Sequence, residues 1–237
     1  MTREPAFAPT WAEYDRILDL VGQTGRCRTF QQAATASGFI VIRHDVECSL
    51  DKAAEMAEHE YAHGIKTTYC IQLASETYNP ATEHNKRIIY QIARQGHQIA
   101  LHHRQQAQTP AQELEALKTA LRALSAIAGT TVNVYSFHQP KADTPYHELI
   151  IPGAINTYAQ PYFKRFGTDG PDVLYISDSR RQWNYGCPDA KTLAAHKRIQ
   201  LLIHPFGWST DGTDTVPGIA AAAQARYTAE LVETVPT

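Results

Sequence analysis

Apolar positions along the chain follow two rhythms. Trp11, Tyr14, Ile17, Leu18 and Val21 recur every three or four residues, which predicts an amphipathic helix over 11–21. Ser49 is placed as an N-cap and Gly64 as a stop, giving a helix over 49–63. Asn79-Pro80 opens another that runs to Gly96. Thr109-Pro110-Ala111-Gln112 reads as a capping box with proline at the first helical position. Leu114, Leu117, Leu121, Leu124 and Ile127 then share one face, and Gly129 closes that helix. A C-terminal helix covers 218–232. Between these lie short runs rich in β-branched and aromatic residues, predicted as strands at 39–43, 66–73, 98–101, 132–137, 172–176 and 199–203. Strands alternating with helices predict parallel βαβ units, with the 11–21 helix packed over the base.

The residues that follow the strands change the picture. Asp45, Glu47, His102, His138, Asp178 and His204 each fall just past a predicted strand end. In a parallel barrel those ends share one rim, so the six can converge. Asp45 and Glu47 are two residues apart and point to one side in extended chain. Such a pair suits a divalent metal or an acid/base couple, and an ordinary solvated strand end is the plain alternative. A lone histidine at a strand end is more often a hydrogen-bonded structural residue. Six ionisable groups in one topological position argue for a shared site.

Composition narrows the partners. The formal net charge of 237 residues is −2, with 19% charged and 43% hydrophobic residues. No basic footprint for nucleic acid or anionic membrane exists. The first ten residues carry no long apolar segment and no stretch reaches membrane-spanning length, so a soluble, cytoplasmic chain is expected. Cys27, Cys48, Cys70 and Cys187 are scattered without a C-x-x-C pair, which reads as reduced thiols. The length suits one α/β barrel domain. We divide it into an N-terminal helical extension (1–38), the barrel (39–208) and a C-terminal helix (209–237).

Arg43-His44-Asp45-Val46-Glu47, Gly96-His97-Gln98-Ile99-Ala100-Leu101-His102 and Leu202-Ile203-His204-Pro205, in that order, resemble the polysaccharide deacetylase superfamily (NodB-homology, carbohydrate esterase family 4-like). The nearer likeness is to its branch with a His-Asp-Val-Asp first motif. Gly64-Ile65-Lys66-Thr67-Thr68-Tyr69 is similar to the family's second strand, and Tyr175-Ile176-Ser177-Asp178-Ser179 to an element of that branch. The resemblance spans about 39–208. It implies an α/β fold, a distorted (β/α) barrel of about seven parallel strands. It also implies a divalent metal, most often zinc, and hydrolysis of an N-acyl group from an amino sugar.

Carried over position by position, the resemblance implies Asp45 as general base, Glu47 and His102 as metal ligands and His204 as general acid. Three departures stand out. The family's second metal histidine corresponds to Gln106, its aspartate ligand is Glu47, and its later Arg-x-Pro element is replaced by Ser136-Phe137-His138-Gln139-Pro140. We expect His138 to supply the missing nitrogen, with His103 as competitor, and Asp178 to orient His204. His44 and His97 are expected to be structural. Trp183, Tyr185, Phe206 and Trp208 are either a sugar-stacking wall or core plugs. Arg180 and Arg181 either meet an anionic sugar or are solvated. The function expected is an N-deacylase of cell-surface polysaccharide biosynthesis. A carbohydrate-binding pseudoenzyme and a hydrolase of a non-sugar amide are the alternatives. The oligomeric state is not legible.

Overall fold

The structure is a computed structural model of the chain and describes residues 7–105, 107, 109–140, 146–164 and 172–234. Seven strands form its sheet: β1 (Phe39–Val46), β2 (Thr68–Ile71), β3 (Gln98–His103), β4 (Val134–Phe137), β5 (Ile155–Asn156), β6 (Val173–Ser177) and β7 (Arg198–Ile203). Every pairing is parallel, in the order β5-β4-β3-β2-β1-β7-β6. No pairing joins β5 to β6 among the described residues, so the sheet curls into a half-barrel open at that seam. Seven α-helices accompany it among the described residues: α1 (Trp11–Gln23), α2 (Phe30–Ala33), α3 (Leu50–Ala62), α4 (Glu83–Arg94), α5 (Pro110–Ala128), α6 (Ala190–Ala195) and α7 (Val216–Thr234). No helix among the described residues is long and apolar enough to cross a membrane.

Alternation along the strands sorts side chains between two faces. On the outer face, Ile40, Ile42, Ile199, Leu201 and Ile203 meet the α1 residues Tyr14, Ile17, Leu18 and Val21. Val46, Tyr69, Ile71, Ile99, Leu101, Tyr135 and Phe137 meet α3, α4 and α5. On the inner face, Phe39, Val41, Cys70, Ala100, Val134 and Val173 form an apolar floor capped by Phe30 of α2. Inner-face positions above that floor become polar: Arg43 and Asp45 on β1, His102 on β3, Ser136 on β4 and Gln200 on β7. The fold thus places its polar inner layer at the carboxyl ends of the strands.

Several boundaries differ from the sequence reading. β1 runs on to Val46, so Asp45 lies within the strand and not past it. β2 is shorter than expected. α4 starts after Thr82, whose hydroxyl accepts from the Asn85 amide, and not at Asn79-Pro80. Thr109 caps α5 through the Gln112 amide, but Gln112 Oε1 accepts from the Thr109 hydroxyl and not its backbone, leaving half a capping box. The reciprocal box occurs instead at Thr29 and Gln32, opening the unexpected α2. α1 does not lie over the base. Bridges Thr10–Ser209 and Cys27–Ile40 tie its two flanks to opposite ends of the sheet, so it runs along the outer face.

Candidate metal centre and its cleft

Three strands bring the donors together. Glu47 follows β1, His102 sits in β3 and His138 follows β4. One ligand atom from each lies within 4.8 Å of the others. His138 Nδ1 is 2.9 Å from Glu47 Oε1 and 3.2 Å from His102 Nε2, and His102 Nε2 is 3.4 Å from Glu47 Oε1. Bonds of roughly 2.0–2.1 Å to a tetrahedral cation give ligand–ligand separations of about 3.3 Å. The donor set fits a divalent cation, zinc included.

Neighbouring groups fix these ligands. His102 Nδ1 bonds Ser136 Oγ at 2.8 Å, which leaves Nε2 as the nitrogen turned to the cluster. Gln72 Nε2 lies 3.1 Å from His138 Nδ1, a contact that a cation would replace. Burial disfavours ionisation of Glu47, but hydrogen bonds with His102 and His138 override it and hold the carboxyl well below the usual range.

Beside the cluster Asp45 is 3% exposed. Its Oδ2 accepts from Arg43 Nη2 at 2.9 Å, and its Oδ1 lies 3.6 Å from His102 Nδ1. Burial opposes the charge, yet the Arg43 guanidinium and the histidines keep the Asp45 carboxyl below its ordinary value. Arg43 is itself fully buried. It donates to Gln200 Oε1 (2.9 Å), Thr157 Oγ1 (3.3 Å) and Tyr158 Oη (2.9 Å). Sequence reasoning used Arg43 only as part of a motif. Its signal was present: position 43 shares the inner face with 45, where an unpaired buried carboxylate would be costly.

On β6 and β7 the geometry is equally specific. His204 Nδ1 bonds Asp178 Oδ1 at 2.6 Å. Asp178 also accepts from the His204 amide and, at 3.0 Å, from Trp208 Nε1. Burial lowers the imidazole's affinity for a proton, but the charge and hydrogen bond of Asp178, with Glu47 and Asp45 beyond, raise His204 to about 9. Glu47, Asp178 and His204 line one cleft of ≈ 740 Å³ together with Phe7, Gln139, Ser179, Arg180, Arg181 and Phe206. A smaller cavity of ≈ 180 Å³, between the β2–α4 loop and α7, holds none of these groups.

The remaining expectations divide. His103 faces outward to Glu113 of α5 and is not part of the cluster. His44 and His97 also face outward, onto Glu60 of α3. Trp208 is fully buried against Phe7, Tyr14 and Trp183, as a plug. Of the four aromatics considered, Phe206 lines the cleft. Arg181 is spent on the carbonyls of Gly212 (2.6 Å) and Asp214. Gln106 lies outside the described residues.

No family model matches the sequence, and no curated protein matches it. Solved structures do. IcaB from Ammonifex degensii is 13% identical with a TM-score of 0.49, over 90% of this chain and 89% of that one. A family 4 carbohydrate esterase from Streptomyces lividans, in complex with acetate, is 13% identical with a TM-score of 0.44, over 82% and 91%. BA3943 from Bacillus anthracis, a CE4 family pseudoenzyme, is 12% identical with a TM-score of 0.44, over 79% of this chain. This chain spans 60% of that protein and 62% of its mutant forms.

Proposed function

We propose that the chain is a metal-dependent hydrolase of the polysaccharide deacetylase type, removing an acetyl or formyl group from the nitrogen of an amino sugar. The observation that carries this reading is the meeting of Glu47, His102 and His138 within 4.8 Å, beside the Arg43-held Asp45 and next to a cleft that Glu47 and His204 line. In the proposed roles those three residues hold a divalent cation, with zinc the first candidate. The cation supplies Lewis acidity toward water and toward the amide carbonyl.

An amide resists hydrolysis because water is a weak nucleophile and an amine anion is a poor leaving group. Asp45, kept ionised by Arg43, accepts the proton of the attacking water. His204 has its Nδ1 committed to Asp178, so Nε2 is the nitrogen free to donate a proton to the departing amine. Its raised pKa keeps that proton in place near neutrality. Asp178 acts through His204 as a positioning residue, steadied by the Trp208 indole.

A cleft of ≈ 740 Å³ accommodates a sugar unit with its acyl group. We assign the substrate to precursors of cell-surface polysaccharide. The free thiols of Cys27, Cys48 and Cys70 favour a reducing compartment, hence the cytoplasm. Zinc-loaded protein should release amine from N-acylated amino sugars, and Asp45→Asn should lower that rate by about 10²–10⁴-fold. Binding of the sugar without amine release by the wild type would favour a binding protein and refute the hydrolase.

A further inference from the structure

Among the described residues, the cleft carboxylates Glu47 and Asp178, and Asp45 beside them, already have their donors. Glu47 is engaged by His102 and His138, Asp45 by Arg43, and Asp178 by His204 and Trp208. Arg180 lines the same cleft and makes no ion pair or hydrogen bond with any described residue. Its neighbour Arg181 is consumed in holding the Gly212–Asp214 loop. The two arginines therefore differ sharply, although the sequence presents them as a pair.

The loop that carries Arg180 is built to present it. Arg180 and Arg181 both adopt left-handed backbone, with φ of 62° and 57°, a conformation that L residues rarely hold unless their surroundings impose it. Asn184 imposes it here. Its Nδ2 donates to the carbonyl of Ser179 at 2.8 Å and of Gln182 at 2.9 Å, and its backbone bridges Ser177. The Ser177 and Ser179 hydroxyls meet at 2.6 Å inside the same turn. The backbone of the turn thus sets Arg180 at the wall of the cleft, with its side chain exposed and unpaired among the described residues, and guanidinium favours oxyanions with two parallel acceptors.

We propose that Arg180 is the specificity-determining residue for an oxyanion carried by the substrate, a phosphate or carboxylate on the acylated amino sugar. The proposal rests on the deacylase reading of the cleft and narrows its substrate to an anionic sugar. The charge on Arg180 contributes through binding of the substrate, and Arg180 takes no part in the proton transfers.

The test is calorimetric titration, with zinc and without it, using N-acetylglucosamine, N-acetylglucosamine 1-phosphate and N-acetylmuramic acid as probes. At least one anionic probe should bind the wild type tenfold or more tightly than the neutral sugar. Whichever anionic probe binds better identifies phosphate or carboxylate. Arg180→Gln and Arg180→Gly should bring that ratio close to one, Arg180→Lys should keep part of it, and added salt should reduce it. A wild-type ratio near one, no binding of either anionic probe, or a ratio retained in R180Q would overturn the proposal. Glycine adopts φ near 62° without strain, so R180G should melt at or above the wild type. A lower melting temperature would make Arg180 a structural residue and also overturn it. In parallel, amine release from the probes reports on the hydrolase itself. No release alongside a retained anion preference would refute the deacylase and leave the role of Arg180 in binding standing.

Discussion

Asp178 serves three donors with one carboxylate: the imidazole and amide of His204 and the indole of Trp208. Its consequence is measurable through His204. The folded-state pKa of about 9 lies above the ordinary 6.5. The sign follows: protonated His204 stabilises the fold fully below pH 6.5, and that contribution is lost as pH rises through about 9. Urea unfolding of the metal-free protein at several pH values, compared with Asp178→Asn, should show the wild-type advantage shrinking across that window. A difference between the two proteins that is flat with pH would contradict the assignment. The gathering of Asp45, Glu47, His102, His138 and His204 at one end of the sheet was legible because each lies at or beside the carboxyl end of a strand. Arg43 and Ser136 were harder to see. Their role depends on which inner-face neighbour they meet across the sheet, which no local pattern encodes.

β1 shows how an element serves both faces at once. Its inner positions Phe39, Val41, Arg43 and Asp45 climb from apolar floor to charged site, while its outer positions Ile40, Ile42, His44 and Val46 face the helices. Continuous burial of all eight residues explains why the sequence shows an apolar run ended by charge and not a clean alternation. On the outer face, Glu60 of α3 accepts from Tyr14 (2.5 Å), Tyr69 (2.6 Å) and Thr67 (2.8 Å), with His44 Nε2 at 2.7 Å. Burial disfavours its charge, but His44 and the hydroxyls hold Glu60 down at about 2. This knot ties α1, α3, β1 and β2 together. Glu60 was not foreseen, because a glutamate in the last turn of an amphipathic helix reads as a solvated position. Glu60→Ala should cost roughly 3–5 kcal/mol of unfolding free energy, the loss expected when one partner of a buried pair is removed. A denaturation midpoint within error of the wild type would contradict the network's role. The start of α4 was misplaced and α2 went unforeseen for a similar reason, whereas α5 starts where the sequence put it. Thr82, Thr109 and Thr29 are all competent caps, and tertiary packing decides which turn closes.

At the scale of the molecule, the open half-barrel gathers the ends of β1, β4, β6 and β7 around one cleft, with His102 of β3 beside it. The class of fold was legible from alternating strand and helix signals. Its open seam was not, because the short β5 carries almost no signal and the edge at β6 is defined only by what fails to pair with it. A cation joining Glu47, His102 and His138 would cross-link three strands. Saturation at 100 times the dissociation constant adds about 2.7 kcal/mol, which for a chain of this size is roughly 5–10 °C in melting temperature. Zinc should produce that shift in the wild type, a chelator should reverse it, and Glu47→Gln should abolish most of it. A shift of equal size in the variant would place the metal elsewhere.

Anomalous diffraction at the zinc edge, on crystals of the metal-loaded protein, locates the cation itself. One ion is expected, bonded at about 2.0–2.2 Å to a Glu47 oxygen, His102 Nε2 and His138 Nδ1. A zinc peak that excludes His138, or the absence of any peak among these three residues, would contradict it.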